Sequence, residues 1–278
     1  MLVRWNRAFA SFAAAAGILL GTLSGPPMAN AALFGLGDDD KLYTINTATG
    51  AATFVADVPG TSLVGLTFLG GTLYASDIFG SSLLFGTINP TTGAYTGISD
   101  QGGSANWHGL AGNESAGLIY TIDINDGNKL KSITPGGVIT TIGSGAGIDG
   151  RGMGYDDLHG ILYATSGGDS SLYTVDVTTG GATLIGALGI DAGTIGLDYD
   201  EASQILYAND GQVSDSLYTV NVTTGAATLV GSNGGEFEIN GLAWITDAAP
   251  VPLPGTGGLV LLGMAVLAAL ARRRSVAC

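Results

Sequence analysis

The sequence predicts an all-β fold: a five-bladed β-propeller of four-stranded blades. Three observations lead there. A Thr/Gly turn recurs at Gly50, Gly93, Gly137, Gly180 and Gly225, at intervals of 43 to 45 residues. A second marker, Gly followed by Leu or Met, recurs at Gly65, Gly109, Gly152, Gly196 and Gly241 with the same period. Each interval holds four short runs rich in β-branched and aromatic residues, separated by Gly, Asn, Asp and Thr, and no stretch of the middle carries a 3.6-residue period. A four-stranded unit of roughly 40–45 residues is the signature of a propeller blade.

The strands follow in order. The fourth full unit reads Gly196-Leu197-Asp198-Tyr199, Ile205-Leu206-Tyr207-Ala208, Ser216 to Asn221 and Ala226 to Val230. Thr223-Thr224-Gly225 supplies the residue that takes positive φ in a hairpin. Leu-Tyr-Ala-type strands begin at Leu33, Leu73, Leu118, Ile161 and Ile205, and the next strands centre on Tyr43, Phe85, Leu130, Tyr173 and Tyr218. Thr-rich strands sit near Thr53, Tyr95, Ile139, Thr183 and Thr228. The propeller, residues 32–247, thus starts on the second strand of a blade and ends on a first strand, Gly241 to Ile245. Pairing those ends completes the fifth blade and removes an open edge.

The chain's two ends read differently from its middle. Residues 1–31 have the form of a secretory signal. Arg4 and Arg7 precede an apolar run from Ala8 to Leu23, Pro26 and Pro27 break it, and Ala29 and Ala31 supply the small residues for cleavage before Ala32. Residues 248–278 hold Val251-Pro252-Leu253-Pro254-Gly255, an apolar run from Leu259 to Ala271, and Arg272-Arg273-Arg274. The run is at the short end of what spans a bilayer, and the arginines would stay on the cytoplasmic side. This order of proline motif, span and Arg cluster resembles the PEP-CTERM sorting signal, in its VPLPA-like variant. Leu253 stands where that signal usually has Glu, and Gly255 where the variant often has Ala. Gly257-Gly258 is also similar to the GlyGly-type signal. The resemblance implies an exosortase-like sorting enzyme as partner and transit through a membrane-tethered intermediate to the cell surface or the extracellular matrix. The other reading of the segment is a permanent anchor.

The Gly-Leu-x-Tyr … Leu-Tyr-Ala-x-Asp … Leu-Tyr-Thr-Val-Asp order resembles the NHL, YVTN and gluconolactonase-like propellers, which implies that the Gly-Leu strand is innermost. On that assignment His108, Arg151 and Asn240 converge at one mouth of the channel, with Trp107 and Asp149 beside them. Convergent polar groups at a concave mouth are a candidate ligand site; the competing account is polar plugging of the channel. A second candidate is the Asp-rich loop of each repeat, carrying Asp39, Asp77, Asp123, Asn125, Asp126, Asp169 and Asp210. Clustered oxygens on turns suit Ca²⁺, and equally are what hairpin loops ordinarily use. His159 reads as a surface turn residue.

Composition bounds the function. The chain has 9 Lys and Arg against 23 Asp and Glu. Five of the nine lie in the two ends, so the middle keeps Lys41, Lys129, Lys131 and Arg151 alone. This excludes nucleic acid as a partner, because phosphates need a basic footprint. One Cys excludes a disulfide framework and a Cys-rich zinc site. No nucleophile–base, phosphate-loop or zinc motif appears. On the inner strands only Asp198 is ionisable, and strand alternation is expected to turn it away from the channel. The expectation is an exported, non-enzymatic binding or structural propeller, with extracellular polysaccharide or surface proteins as partners. The rival is a secreted lactonase-like hydrolase or glycan-acting lyase.

Overall fold

Among the described residues, Leu-Tyr and Ile-Tyr runs bounded by Gly and Asp fold into twenty strands in five antiparallel sheets of four. The computed structural model describes residues 31–246 apart from 60–62, 78–83, 101–104, 194, 211–214 and 236. The expected signal segment, up to residue 30, and the expected sorting tail lie outside the described residues. Among the described residues no helix is long and apolar enough to cross a membrane.

The first blade combines the two ends of the ring. Its order is β20 (Ile239–Ile245), β1 (Ala32–Gly37), β2 (Lys41–Ile45) and β3 (Ala52–Asp57). Ala32 pairs with Ile245, Phe34 with Ala243 and Leu36 with Gly241, so the expected closure is present, with a bulge at Leu36/Gly37. The second blade is β4 (Leu63–Leu69), β5 (Thr72–Asp77), β6 (Leu84–Ile88) and β7 (Tyr95–Asp100). The third is β8 (Ala111–Asn113), β9 (Leu118–Asp123), β10 (Lys129–Ile133) and β11 (Ile139–Ile142). The fourth is β12 (Gly150–Asp156), β13 (Ile161–Ser166), β14 (Ser171–Val175) and β15 (Ala182–Ala187). The fifth is β16 (Ile195–Asp200), β17 (Ile205–Asp210), β18 (Ser216–Val220) and β19 (Ala227–Ser232).

The Gly-Leu strands β4, β8, β12, β16 and β20 pack against one another around the axis, as the innermost assignment requires. Glycine lets them approach. A Cβ on Gly196 would lie 3.0 Å from the Leu242 nitrogen, and one on Gly109 2.3 Å from the Arg151 carbonyl. The third inner strand is shorter than expected. Gly109 and Leu110 lie outside the ladder, and pairing begins at Ala111 with Tyr120.

The core lies between blades. Buried leucines and isoleucines of one blade meet those of the next, and aromatic pairs bridge the gaps. Tyr120 faces Tyr155 at 5.9 Å, Tyr163 faces Tyr199 at 6.0 Å, and Tyr207 stacks on Trp244 at 5.9 Å. Each pair joins a second strand to the inner strand of the following blade. Such pairs contribute about 0.5–1.5 kcal/mol beyond the apolar area they bury. At the junction of the second and third blades the inner-strand position is Gly112, and there Tyr74 stacks instead on Phe85 of its own blade.

Candidate functional site

Every inner strand runs in the same sense, so the ring has two distinct faces. The first residues of these strands open on one face, together with the loops around 38–40, 123–128 and 167–170. The last residues open on the other, with the tight hairpins.

At the loop-bearing mouth the structure brings together His108, Arg151 and Asp149. The Arg151 Nη1 donates to His108 Nε2 at 2.7 Å and its Nη2 donates to Asp149 at 2.8 Å. Burial, reinforced by the Arg151 charge, pushes the His108 imidazole down to about 4, so it is neutral at pH 7 and accepts from arginine. Asn240 lines the same opening with His108, Ile195 and Leu242. Its side-chain oxygen is buried without a partner, as is one oxygen of Asp149. The inner strands close beneath these groups and leave no room for a water molecule. Trp107 does not join them. Its ring is 1% exposed and packs against Tyr74, Phe85, Leu110 and Ile119 in the gap between the second and third blades. Its place beside His108 in sequence concealed this role in the core.

The Asp-rich loops surround this mouth, but each carboxylate has its own nearby partner. Asp39 accepts from Lys41 Nζ at 2.6 Å and from the Tyr43 hydroxyl at 2.7 Å. Asp169 accepts from Tyr173 at 2.6 Å. Asp126 accepts from both Lys129 and Lys131, which hold its carboxyl down at about 2. Asp123 accepts the backbone N–H groups of Asn106 and Asn125, the latter capping a single 3-10 turn, Ile124–Asp126. Asp77 and Asp210 end β5 and β17 and are buried. Among the described residues no three His, Cys, Asp or Glu side chains come together to hold a metal ion. His159 sits in the hairpin after β12, half exposed, with its Nδ1 2.7 Å from Asp156.

The opposite mouth was missed by sequence reasoning. Phe68, Tyr155, Tyr199 and Trp244 line a concavity of about 50 Å³ together with Glu114, Asp157, Asp198, Glu201 and Thr246. Asp198 is 8% exposed and lines this mouth. Its carboxylate accepts the Trp244 N–H at 2.6 Å on the neighbouring inner strand and the Tyr199 N–H at 2.9 Å. Thr67 at the equivalent position of β4 makes the same kind of link, accepting the Gly112 N–H at 2.8 Å. Burial drives the Asp198 carboxyl up to about 7, against the two backbone hydrogen bonds that favour the charged form. Around it runs a belt of carboxylates at one repeat position. Glu114 accepts from the Gly70 N–H at 2.9 Å, Asp157 from Glu114 and Ser115 at 3.0 Å, and Glu201 from Asp157. Each thereby ties its own hairpin to that of the preceding blade. The signal was present in the sequence: Glu114, Asp157 and Glu201 stand 43 and 44 residues apart.

No protein-family model matches the chain, and neither does any curated protein sequence. Solved structures do. A chain of the nidogen/laminin complex is 18% identical, with 73% of this chain covering 79% of that one at a TM-score of 0.54. A symmetrical protein from a study of de novo evolutionary emergence under folding constraints is 20% identical, with 80% of this chain covering all of that one at 0.53. Virginiamycin B lyase from Staphylococcus aureus is 16% identical, with 69% of this chain covering 62% of that one, at 0.44. At these identities the likeness to the first two is one of fold, and what this chain is similar to is a β-propeller.

Proposed function

We propose that the chain is an exported, non-enzymatic binding or structural propeller. Its C-terminal segment delivers it through an exosortase-like enzyme, and it engages extracellular polysaccharide or surface proteins. The observation that carries this reading is how the polar groups of the axis are used. Arg151 is committed to His108 and Asp149, and Asp198 bridges two inner strands, while the inner strands close the channel between them. Arg151, His108 and Asp149 hold one another, and the concavity beside Asp198, at about 50 Å³, is far smaller than the roughly 300–1,000 Å³ of a small-molecule pocket, so recognition falls to the outer surfaces. The surplus of carboxylates keeps such a domain soluble and repels polyanions.

Two measurements test the reading. Intact mass of the protein from its native host should show a chain that begins at Ala32 and lacks Arg272 to Arg274; molecules that all retain Cys278 would make the tail a plain anchor. A glycan array probed with the secreted chain should give binding without turnover. Release of product from a lactone or a uronate-containing glycan, lost in Asp198→Asn or His108→Gln, would replace this reading with the enzymatic one.

A further inference from the structure

The mouth on the hairpin face has a chemistry that the ring's own bonding does not use up. Phe68, Gly112, Tyr155, Tyr199 and Trp244 occupy one repeat position, 43 to 45 residues apart. Each blade thus contributes one residue to the wall of the concavity, and four of the five are aromatic. Along the fifth inner strand the order toward this face is Asp198, Tyr199, Glu201. The buried carboxylate therefore lies below the aromatic wall, and Glu201 stands at the rim with Glu114 and Asp157 of the third and fourth blades.

Asp198 lacks a counter-charge. Its backbone donors, Trp244 and Tyr199, take about two of the roughly four acceptor positions of a carboxylate. The side-chain charges that act on it are those of Glu201 and Asp200, both of its own sign. The basic residues of the propeller, Lys41, Lys129, Lys131 and Arg151, are engaged with Asp39, Asp126 and Asp149 around the other mouth. A cation for Asp198 has to come from outside the domain.

We infer that this mouth is a socket for one lysine side chain of a partner protein, with the methylene stem against the aromatic wall and the ammonium on Asp198. The inference rests on the reading of the domain as a binding propeller and names the chemistry of one partner. Size selects the ligand. A concavity of about 50 Å³ compares with about 30 Å³ for one water molecule in the liquid, so it takes an ammonium and its adjoining methylene but no sugar ring. Lysine supplies both parts, an apolar stem and a charged tip. A metal ion does not suit the lining. Ca²⁺ takes six to eight oxygens, the rings supply none from their faces, and among the described residues no three carboxylates gather to hold an ion. One seated tip binds weakly, so a lasting complex also needs contact with the surrounding hairpins. The rim carboxylates Glu114, Asp157 and Glu201 steer a basic surface toward the socket and reject an acidic one.

The test follows the indole N–H resonance of Trp244 in the isotope-labelled secreted chain, with Trp107, buried in the core, as internal control. The probe is Nα-acetyl-lysine methylamide. The Trp244 resonance should move saturably, with a Kd on the order of 1–10 mM, while that of Trp107 stays in place. Nα-acetyl-norleucine methylamide, which keeps the stem and lacks the ammonium, should leave it unmoved, as should sodium chloride at equal ionic strength. Asp198→Asn should weaken binding about tenfold, and Glu201→Gln, which keeps an acceptor for the Asp157 N–H, about twofold. A response shared by norleucine or by sodium chloride overturns the ammonium socket. So does unchanged affinity in the two variants. Glucosamine that binds as tightly as the lysine probe overturns the protein partner in favour of an aminated glycan. No saturable shift from any probe overturns the socket and leaves the exported, non-enzymatic reading to the glycan array and the mass measurement.

Discussion

Asp198 shows how one side chain sets a pH dependence. Its carboxyl is raised to about 7 by burial, so the stability it contributes is present at low pH and is lost as pH rises from its unfolded value near 4 through 7. A displacement that large corresponds to at most about 4 kcal/mol between the two protonation states. Asn at this position keeps an oxygen for the Trp244 N–H and carries no charge. Asp198→Asn should therefore be more stable than the parent at about pH 8 and nearly equal to it at about pH 4, the difference growing with pH between them in urea unfolding. His108 acts in the opposite sense. Its imidazole is lowered to about 4, so the stability it contributes is present above 6.5 and is lost as pH falls toward 4. His108→Gln retains an acceptor for Arg151 and should remove that acid-side loss. Measured together, the two variants separate contributions that partly cancel in the parent between about pH 4 and 7.

At the scale of the element, the Thr/Gly marker has a tertiary cause. Asn46, Asn89, Asp176 and Asn221 each accept two backbone N–H groups of their own turn, which then ends on a glycine at positive φ. That glycine lies against the outer strand of the preceding blade. A Cβ would lie 2.0 Å from the Asp57 carbonyl at Gly93, 2.4 Å from the Gly186 carbonyl at Gly225, and 2.1 Å from the Gly231 carbonyl at Gly50. The turn is a docking point as well as a reversal, which is why it keeps the period of the ring. Gly93→Ala should cost about 3 kcal/mol, because it combines backbone strain with forced separation of two blades. Gly70→Ala, also at positive φ but in open space, should cost only about 1 kcal/mol. Equal losses in thermal unfolding would place the whole effect in φ and none in docking. The aromatic bridges are testable in the same way: Tyr199→Ala should lose about 3–5 kcal/mol, by removing a ring buried between the fourth and fifth blades.

For the molecule as a whole, stability depends on closing the ring. The outer edges of the blades tolerate exposed apolar residues such as Phe54, Leu184 and Leu229, but the inner strands need both neighbours. Deleting 239–246 removes β20, opens the first blade and exposes β4 and β16 at once. The single cooperative transition should then give way to a broad one in calorimetry. The surplus of negative charge also acts at this scale. Because the loop carboxylates are held by lysines, tyrosines and backbone N–H groups, Ca²⁺ and Mg²⁺ at equal ionic strength should raise Tm equally, by screening. A rise confined to Ca²⁺ would show a flexible oxygen site among loops that the side-chain geometry does not gather.

The number of blades, the four strands in each and the pairing of the first strand with the last were legible in the linear sequence, because they follow from period and alternation, which are properties of the chain itself; the innermost position of the Gly-Leu strand came from the resemblance of the repeat to known propellers. The meeting of His108 with Arg151 was legible too, since the repeat register places both at the start of inner strands. Where individual side chains point was settled only in the folded ring. Trp107 adjoins His108 in the chain but fills a gap between blades, because packing volume outweighs its place beside polar residues. Asp198 is held at the axis by a backbone N–H of the next blade, a partner 46 residues away that strand alternation does not reveal. The acidic belt of Glu114, Asp157 and Glu201 repeats in sequence, yet its purpose appears only when the blades are set side by side. Each carboxylate satisfies a neighbour's backbone, and that distance is fixed by the ring.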